Sequence, residues 1–260
     1  MSPEYPSPYS SNTICTYEFH GNDQERIRIV FLDFDVYCSG DNSDRYNYSD
    51  SVSVFIFVDG RLEKIDSYCG DKLPGPIMSN GPWMRIEFKG RRAQSKYRGF
   101  KATYSFTTDY AIRIGSQSQR YPCAFNFYSN ETKYGYFHSP NFPGLYPRNT
   151  ECHYFFYGIL SEKVALHFSS FDIEGVSSCD AQTASDSVEI SNYHGEDRKY
   201  TRYCGKLSEF DVESDSRFFR VTFRSNGRLD GTGFNATYYF LERIFTTKKF
   251  QEIPRNGEGL

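Results

Sequence analysis

Nowhere does this 260-residue chain approach the ~18–20 consecutive apolar residues of a membrane-spanning helix. A basic surplus is missing too: 30 Lys and Arg stand against 33 Asp and Glu, without the electrostatic footprint of a nucleic-acid binder. The opening residues Met1-Ser2-Pro3-Glu4-Tyr5-Pro6 have no basic region followed by an apolar run, so they form no secretory signal. No Cys-x-x-Cys pair occurs, which weakens zinc-ribbon and thioredoxin readings. The chain also lacks His-Glu-x-x-His, Gly-x-Ser-x-Gly, a Walker loop and the Gly-x-Gly-x-x-Gly dinucleotide fingerprint. Among the histidines, His167 reads as a structural or surface residue on an alternating strand, and His153 and His194 as loop or strand-edge residues. With no catalytic constellation, the chain is expected not to be an enzyme.

Aromatic residues, in contrast, are abundant. Phe (24) and Tyr (22) bring the aromatic share to 18% with a single Trp, and such residues favour pleated, half-buried strands. Period-two alternation runs through Arg26-Ile27-Arg28-Ile29-Val30-Phe31, Ser51-Val52-Ser53-Val54-Phe55 and Arg85-Ile86-Glu87-Phe88. It returns in Val164-Ala165-Leu166-His167-Phe168, Ser187-Val188-Glu189-Ile190 and Arg220-Val221-Thr222-Phe223. Short strands separated by Gly, Pro, Asn and Asp predict antiparallel β-sandwiches. The length suits two domains, at roughly 100–200 residues each. Cysteines at 15, 38, 69, 123, 152, 179 and 204, with sequons at Asn47, Asn130 and Asn235, point to an oxidising, extracellular compartment. The missing signal then reads as truncation of a longer protein.

The chain also repeats itself. Ser2-Pro3-Glu4-Tyr5-Pro6 matches Ser139-Pro140-Asn141-Phe142-Pro143, and at the same offset Tyr9 meets Tyr146, Asn12 meets Asn149 and Cys15 meets Cys152. Phe34-Asp35-Val36 then meets Phe171-Asp172-Ile173, Asp50-Ser51-Val52 meets Asp186-Ser187-Val188, and Cys69-Gly70 meets Cys204-Gly205. Gly99-Phe100 and Ala102-Thr103-Tyr104 close the series against Gly233-Phe234 and Ala236-Thr237-Tyr238. The offset shrinks stepwise, as it would with loops of unequal length between matched strands. The reading is domain one over 1–106, a linker over 107–122, domain two over 123–242 and a polar tail over 243–260.

This ordered pattern resembles the CUB family, whose elements run Cys, Ser-Pro-x-aromatic-Pro, Tyr, Asn, Cys, Phe-Asp-hydrophobic, Cys, Asp-x-Val, Cys-Gly and Gly-Phe-x-Ala-x-Tyr. Domain two carries them all, starting with Cys123; domain one carries them from Ser2. The resemblance implies an all-β chain of two tandem CUB-type sandwiches, antiparallel and jelly-roll-like. The family pairs its first cysteine with its second and its third with its fourth. That implies Cys123–Cys152, Cys179–Cys204 and Cys38–Cys69, with Cys15 left unpaired. Its expected partner would precede Ser2 by as much as Cys123 precedes Ser139, ahead of this segment. Domain one is therefore expected to be N-terminally truncated, without its first strand and first cysteine. The other reading of Cys15 is a free or intermolecular thiol.

Many CUB domains hold Ca²⁺ at a loop end through a Glu after Phe-Asp-hydrophobic, the Asp of Asp-x-Val and an Asp before Gly-Phe. The resemblance carries over to Glu174 and Asp186 in domain two, with Asn226 at the third position; an amide oxygen can ligate calcium but brings no charge. The alternative is a set of solvated loop residues, with Asn226 as a turn residue. In domain one the same positions hold Tyr37, Asp50 and Arg91, followed by Arg92, and a cation there opposes calcium. Arg91 could take the ion's place by pairing with Asp50. In the family such a loop end captures a Lys of a partner, which makes Glu174 and Asp186 partner contacts as well. Residues 41–48 form an acidic insert that is either a partner surface or a solvated loop.

The family serves in complement proteases, tolloid-like proteases, proteinase enhancers and receptor auxiliary subunits. Two domains with no EGF-like cysteines between them depart from the complement layout. Val58-Asp59-Gly60-Arg61-Leu62-Glu63-Lys64-Ile65 and Tyr68-Cys69-Gly70 resemble the suppressor-of-lurcher group of glutamate-receptor accessory proteins. That finer resemblance implies an extracellular partner, the ectodomain of an AMPA-type receptor, whose gating or clustering at synapses the full-length cell-surface protein would modulate. A transmembrane helix would then lie downstream. The rival readings are a regulator or targeting arm of an extracellular protease, and a secreted matrix or adhesion module.

Overall fold

The computed structural model describes residues 1–39, 49–91, 96–176, 179–180, 183–195 and 200–243. It is all-β, two sandwiches in tandem. Domain one contains β1 (Thr13–His20), β2 (Arg26–Asp35), β3 (Ser51–Val58), β4 (Arg61–Tyr68), β5 (Ile77–Met78), β6 (Trp83–Gly90) and β7 (Gly99–Thr107). One sheet runs β1-β6-β3-β4 and the other β5-β2-β7. Alternation puts Ile27, Ile29 and Phe31 of β2 into one core with Val52, Val54 and Ile56 of β3 and Met84, Ile86 and Phe88 of β6.

Domain two contains β8 (Ser116–Gln117), β9 (Ala124–Tyr128), β10 (Tyr134–His138), β11 (Glu151–Tyr157), β12 (Glu162–Ile173) and β13 (Ser187–Ser191). It continues with β14 (Thr201–Tyr203), β15 (Gly205–Leu207), β16 (Phe210–Glu213), β17 (Phe218–Arg224) and β18 (Gly233–Glu242). One sheet is β14-β13-β17-β11-β9-β8; the other is β10-β18-β12-β15, with β16 also on β12. Phe137 sits at the centre of the core, fully buried, its ring within 5.0–6.3 Å of the rings of Phe127, Tyr154, Phe156, Phe168 and Phe234. Disulfides join Cys38 to Cys69, Cys123 to Cys152 and Cys179 to Cys204.

The two sandwiches differ at one side. In domain two, β9 pairs in parallel with β11 and β10 pairs with β18. Among the described residues nothing takes those places beside β1 and β7, which are edge strands. The effect on burial is large. Tyr238 and Phe240 of β18 are 5% and 6% exposed, whereas Tyr104 and Phe106, their repeat counterparts on β7, are 61% and 39% exposed. Cys15, on β1, is half-buried and carries a free thiol. A thiol-alkylating reagent applied to the native protein is therefore expected to label Cys15 and no other cysteine. Labelling at Cys38 or Cys69 by mass spectrometry would contradict that framework.

Residues 107–122, expected as a linker, are instead partly built into domain two. Tyr110 and Ile112 are buried in its core, and β8 pairs with β9. Apolar side chains in a connection gain by covering a neighbouring core, and these two do so. The same region joins the domains. Asn141, fully buried, accepts a hydrogen bond from Arg28 Nε (3.0 Å) and donates Nδ2 to the Pro76 carbonyl (2.9 Å). Arg148 donates Nε to both Asp230 oxygens (2.9 and 3.0 Å) and reaches Glu63 of domain one at 3.2 Å. Gly144 lies so close to Pro76 that an added Cβ would stand 1.9 Å from its carbonyl oxygen.

Of the sequons, Asn130 sits exposed on the turn after β9. Asn235 is half-buried within β18, its amide 3.3 Å from Ser169 Oγ. Asn47, the 41–48 insert, Arg92 and nearly all of the 243–260 tail lie outside the described residues.

Candidate functional site

The loops at one end of domain two bring Glu174, Asp186 and Asn226 together. Glu174 follows β12, Asp186 precedes β13, and Asn226 comes two residues after β17. Tyr146 sits beneath all three. It is buried, its ring edge-on to Phe223 at 4.9 Å. Its hydroxyl donates to Asp186 Oδ2 (2.7 Å) and accepts the Glu174 backbone N–H (2.9 Å), fixing both residues to the core. The Asp186 N–H donates to Glu174 Oε2 at 3.1 Å, and the Asn226 N–H to Asp186 Oδ1 at 2.6 Å. The Asn226 amide Nδ2 donates to the Ala184 carbonyl (3.0 Å) and approaches Glu174 Oε2 (3.4 Å), while its Oδ1 accepts the Arg228 N–H (2.7 Å).

Burial pushes the Asp186 carboxyl up to about 6, with Glu174 and Asp230 adding repulsion against the opposing hydrogen bonds from Asn226 and Tyr146. Burial likewise raises the Tyr146 hydroxyl far above its ordinary range, so it stays a donor. The cluster is therefore a buried acid beside a half-buried one, tied together by amides; among the described residues no Lys or Arg side chain pairs with Glu174 or Asp186, and Arg228 enters only through its backbone N–H. Among the described residues no group of three or more His, Cys, Asp or Glu side chains is placed to hold a metal, since the third position here is an amide.

Domain one repeats the scaffold with different chemistry. Tyr9 is buried edge-on to Phe88 at 5.0 Å, donates to Asp50 Oδ2 (2.7 Å) and accepts the Tyr37 N–H (3.1 Å). The Arg91 backbone N–H donates to Asp50 Oδ1 (2.7 Å), in the position of Asn226. The Arg91–Asp50 contact thus runs through the backbone amide. One carboxylate remains where domain two has two.

The tyrosines are the residues whose role sequence reasoning missed. Tyr9 and Tyr146 matched in the repeat, but a lone tyrosine gives no sign of which carboxylate it will orient. A second missed pattern joins the two ends of the motif. Ser139 N–H donates to the Phe234 carbonyl and the Phe234 N–H returns to Ser139 Oγ, both at 3.0 Å; Ser2 and Phe100 do the same at 2.9 and 3.0 Å. His153 is not a loop or strand-edge residue. It lies in β11 between β9 and β17, 3% exposed, its ring tilted against Tyr121 at 4.5 Å and bonded to Glu151. His167, on β12, pairs with Asp211 at 2.8 Å.

The CUB domain family profile matches residues 1–104 and 123–238. The chain belongs to the CUB domain family. CUB domains are non-catalytic modules of extracellular protein interaction, and the disulfides fit that compartment. The dorsal-ventral patterning protein tolloid of Drosophila melanogaster is 25% identical over 287 residues, covering 98% of this chain and 26% of that protein. Cubilin of Sus scrofa is 27% identical over 273 residues, 99% of this chain and 7% of cubilin. The chain thus spans only a small part of either relative. Among solved structures, the MASP-1 CUB2 domain bound to Ca²⁺ aligns with 44% of this chain and 96% of its own, at 25% identity and a TM-score of 0.37.

Proposed function

We propose that this chain is the binding arm of a larger extracellular protein, and that the loop end of domain two is its partner site. The carrying observation is the convergence of Glu174 and Asp186 on Tyr146, with a buried acid and, among the described residues, no ion pair to either carboxylate. Two adjacent carboxylates fit a hard cation. On this reading Glu174, Asp186 and the Asn226 amide oxygen, once its side chain has turned, hold Ca²⁺, with the remaining oxygens from backbone or water. The ion would order the loop end and leave acidic oxygens directed at a Lys of a protein partner. Domain one, with Tyr37 and Arg91 at the matching positions, contributes no calcium ligand set.

Two settings fit such an arm. The resemblance of residues 58–65 and 68–70 to the suppressor-of-lurcher group supports an accessory protein of AMPA-type glutamate receptors, acting at the cell surface at synapses. The similarity to tolloid along almost the whole chain favours the second, a CUB pair that targets or regulates an extracellular protease. The chain is to be mixed with AMPA-type receptor ectodomains, first in calcium and then in chelator. Capture that is lost in chelator is the outcome expected of the first setting. No capture in either buffer removes the receptor and leaves the protease setting. Capture indifferent to chelator would overturn the placement of the contact at Glu174 and Asp186.

A further inference from the structure

At the corresponding end of domain one, the charge is reversed. A cleft of about 530 Å³ opens there, within the size range of sites for small ligands. Its floor is the outer face of the β1-β6-β3-β4 sheet. Ser51 lies opposite Lys89 and Ser53 opposite Ser67, whose hydroxyls meet at 2.9 Å. Four cations line it: Lys64 from β4, Lys72 from the loop after Cys69, Lys89 from β6 and Arg91 just beyond β6. The one carboxylate in the lining, Asp50, is fully buried and already accepts hydrogen bonds from Tyr9 and Arg91.

Lys89 is neutralised by Glu87 at 2.9 Å. Lys64, Lys72 and Arg91 are exposed, and among the described residues none of them forms an ion pair. Like charges gathered round a polar concavity repel one another and add nothing to the fold; they raise the local concentration of an anion. Their origin on separate elements suits a ligand bearing several spaced charges better than a single phosphate held in one turn. The hydroxyl floor suits polyol hydroxyls. Lysine ammonium groups meet sulfate esters as point charges, and the Arg guanidinium can meet one as a bidentate fork.

We propose that this cleft binds a sulfated oligosaccharide. The site is separate from the acidic loop end of domain two and independent of calcium there.

The test is calorimetric titration of the intact chain with a heparin-derived hexasaccharide, beside the same oligosaccharide stripped of sulfate and inorganic sulfate alone. The wild type should bind the sulfated hexasaccharide, with affinity falling as salt rises, and ignore the desulfated one. The exposed triple change Lys64→Ala, Lys72→Ala and Arg91→Ala should weaken binding by about tenfold or more. A control pair in other exposed places, Lys101→Ala and Lys206→Ala, should leave it unchanged. Equal binding by the triple variant, equal losses in both variants, or no binding by the wild type would overturn the proposal. So would inorganic sulfate competing as well, mole for mole, as the hexasaccharide. Repeating the titration in chelator separates this site from the calcium reading, because the proposal expects no change.

Discussion

Gly233→Ala is expected to destabilise domain two by about 3 kcal/mol, and to lower its melting temperature by roughly 12–20 °C. Two effects add. Gly233 has φ of +81°, a left-handed conformation that costs an L-residue about 1–2 kcal/mol. The new Cβ would also stand 1.8 Å from Ser139 Oγ, the atom that accepts the Phe234 N–H. Relieving that clash moves Ser139 and breaks the clasp between the two ends of the domain, an overpacking penalty of about 1–3 kcal/mol. Gly60, at φ +76° with nothing within 4 Å of an added Cβ, isolates the first effect. Gly60→Ala should therefore cost only about 1–2 kcal/mol. Equal losses at the two positions in thermal unfolding would show that the Ser139 contact carries no weight.

The second large effect concerns the loop end. If calcium binds the folded chain and not the unfolded one, a concentration 100 times the dissociation constant stabilises it by about 2.7 kcal/mol. Domain two should then melt roughly 10–15 °C higher in calcium than in chelator. Asp186→Ala removes a carboxylate and the acceptor for both Tyr146 and Asn226, so it should lose that shift and start from a lower baseline. Glu174→Gln keeps the shape and an acceptor for the Asp186 N–H while removing one charge. It should hold its baseline in chelator and lose most of the calcium shift. A full shift in Glu174→Gln would place the ion elsewhere.

Much of the fold could be read from the sequence because burial in a sandwich leaves a period-two mark. Arg26 to Phe31, Ser51 to Phe55, Val164 to Phe168 and Arg220 to Phe223 all fall within strands. The repeat carried further, since matched motifs had to occupy matched places. What stayed hidden depended on contacts between distant residues. Tyr146 orients Glu174 and Asp186 from far along the chain, and a tyrosine in an aromatic-rich chain looks like any other. Tyr110 and Ile112 lie in a polar connection whose burial becomes visible only against the domain-two core. The cationic cleft was invisible for the same reason: Lys64, Lys72 and Arg91 belong to three separate stretches, and strand pairing gathers them. Asp59-Gly60, read only as part of a resemblance, closes the β3–β4 hairpin with positive φ at both residues, the geometry that Asp-Gly turns favour.

The most direct test of the loop-end account is calorimetric titration of calcium into the intact chain. The account predicts saturation at one ion per chain, abolished by Asp186→Ala and untouched by Asp50→Asn in domain one. No calcium heat, or a titration that survives Asp186→Ala, would contradict it.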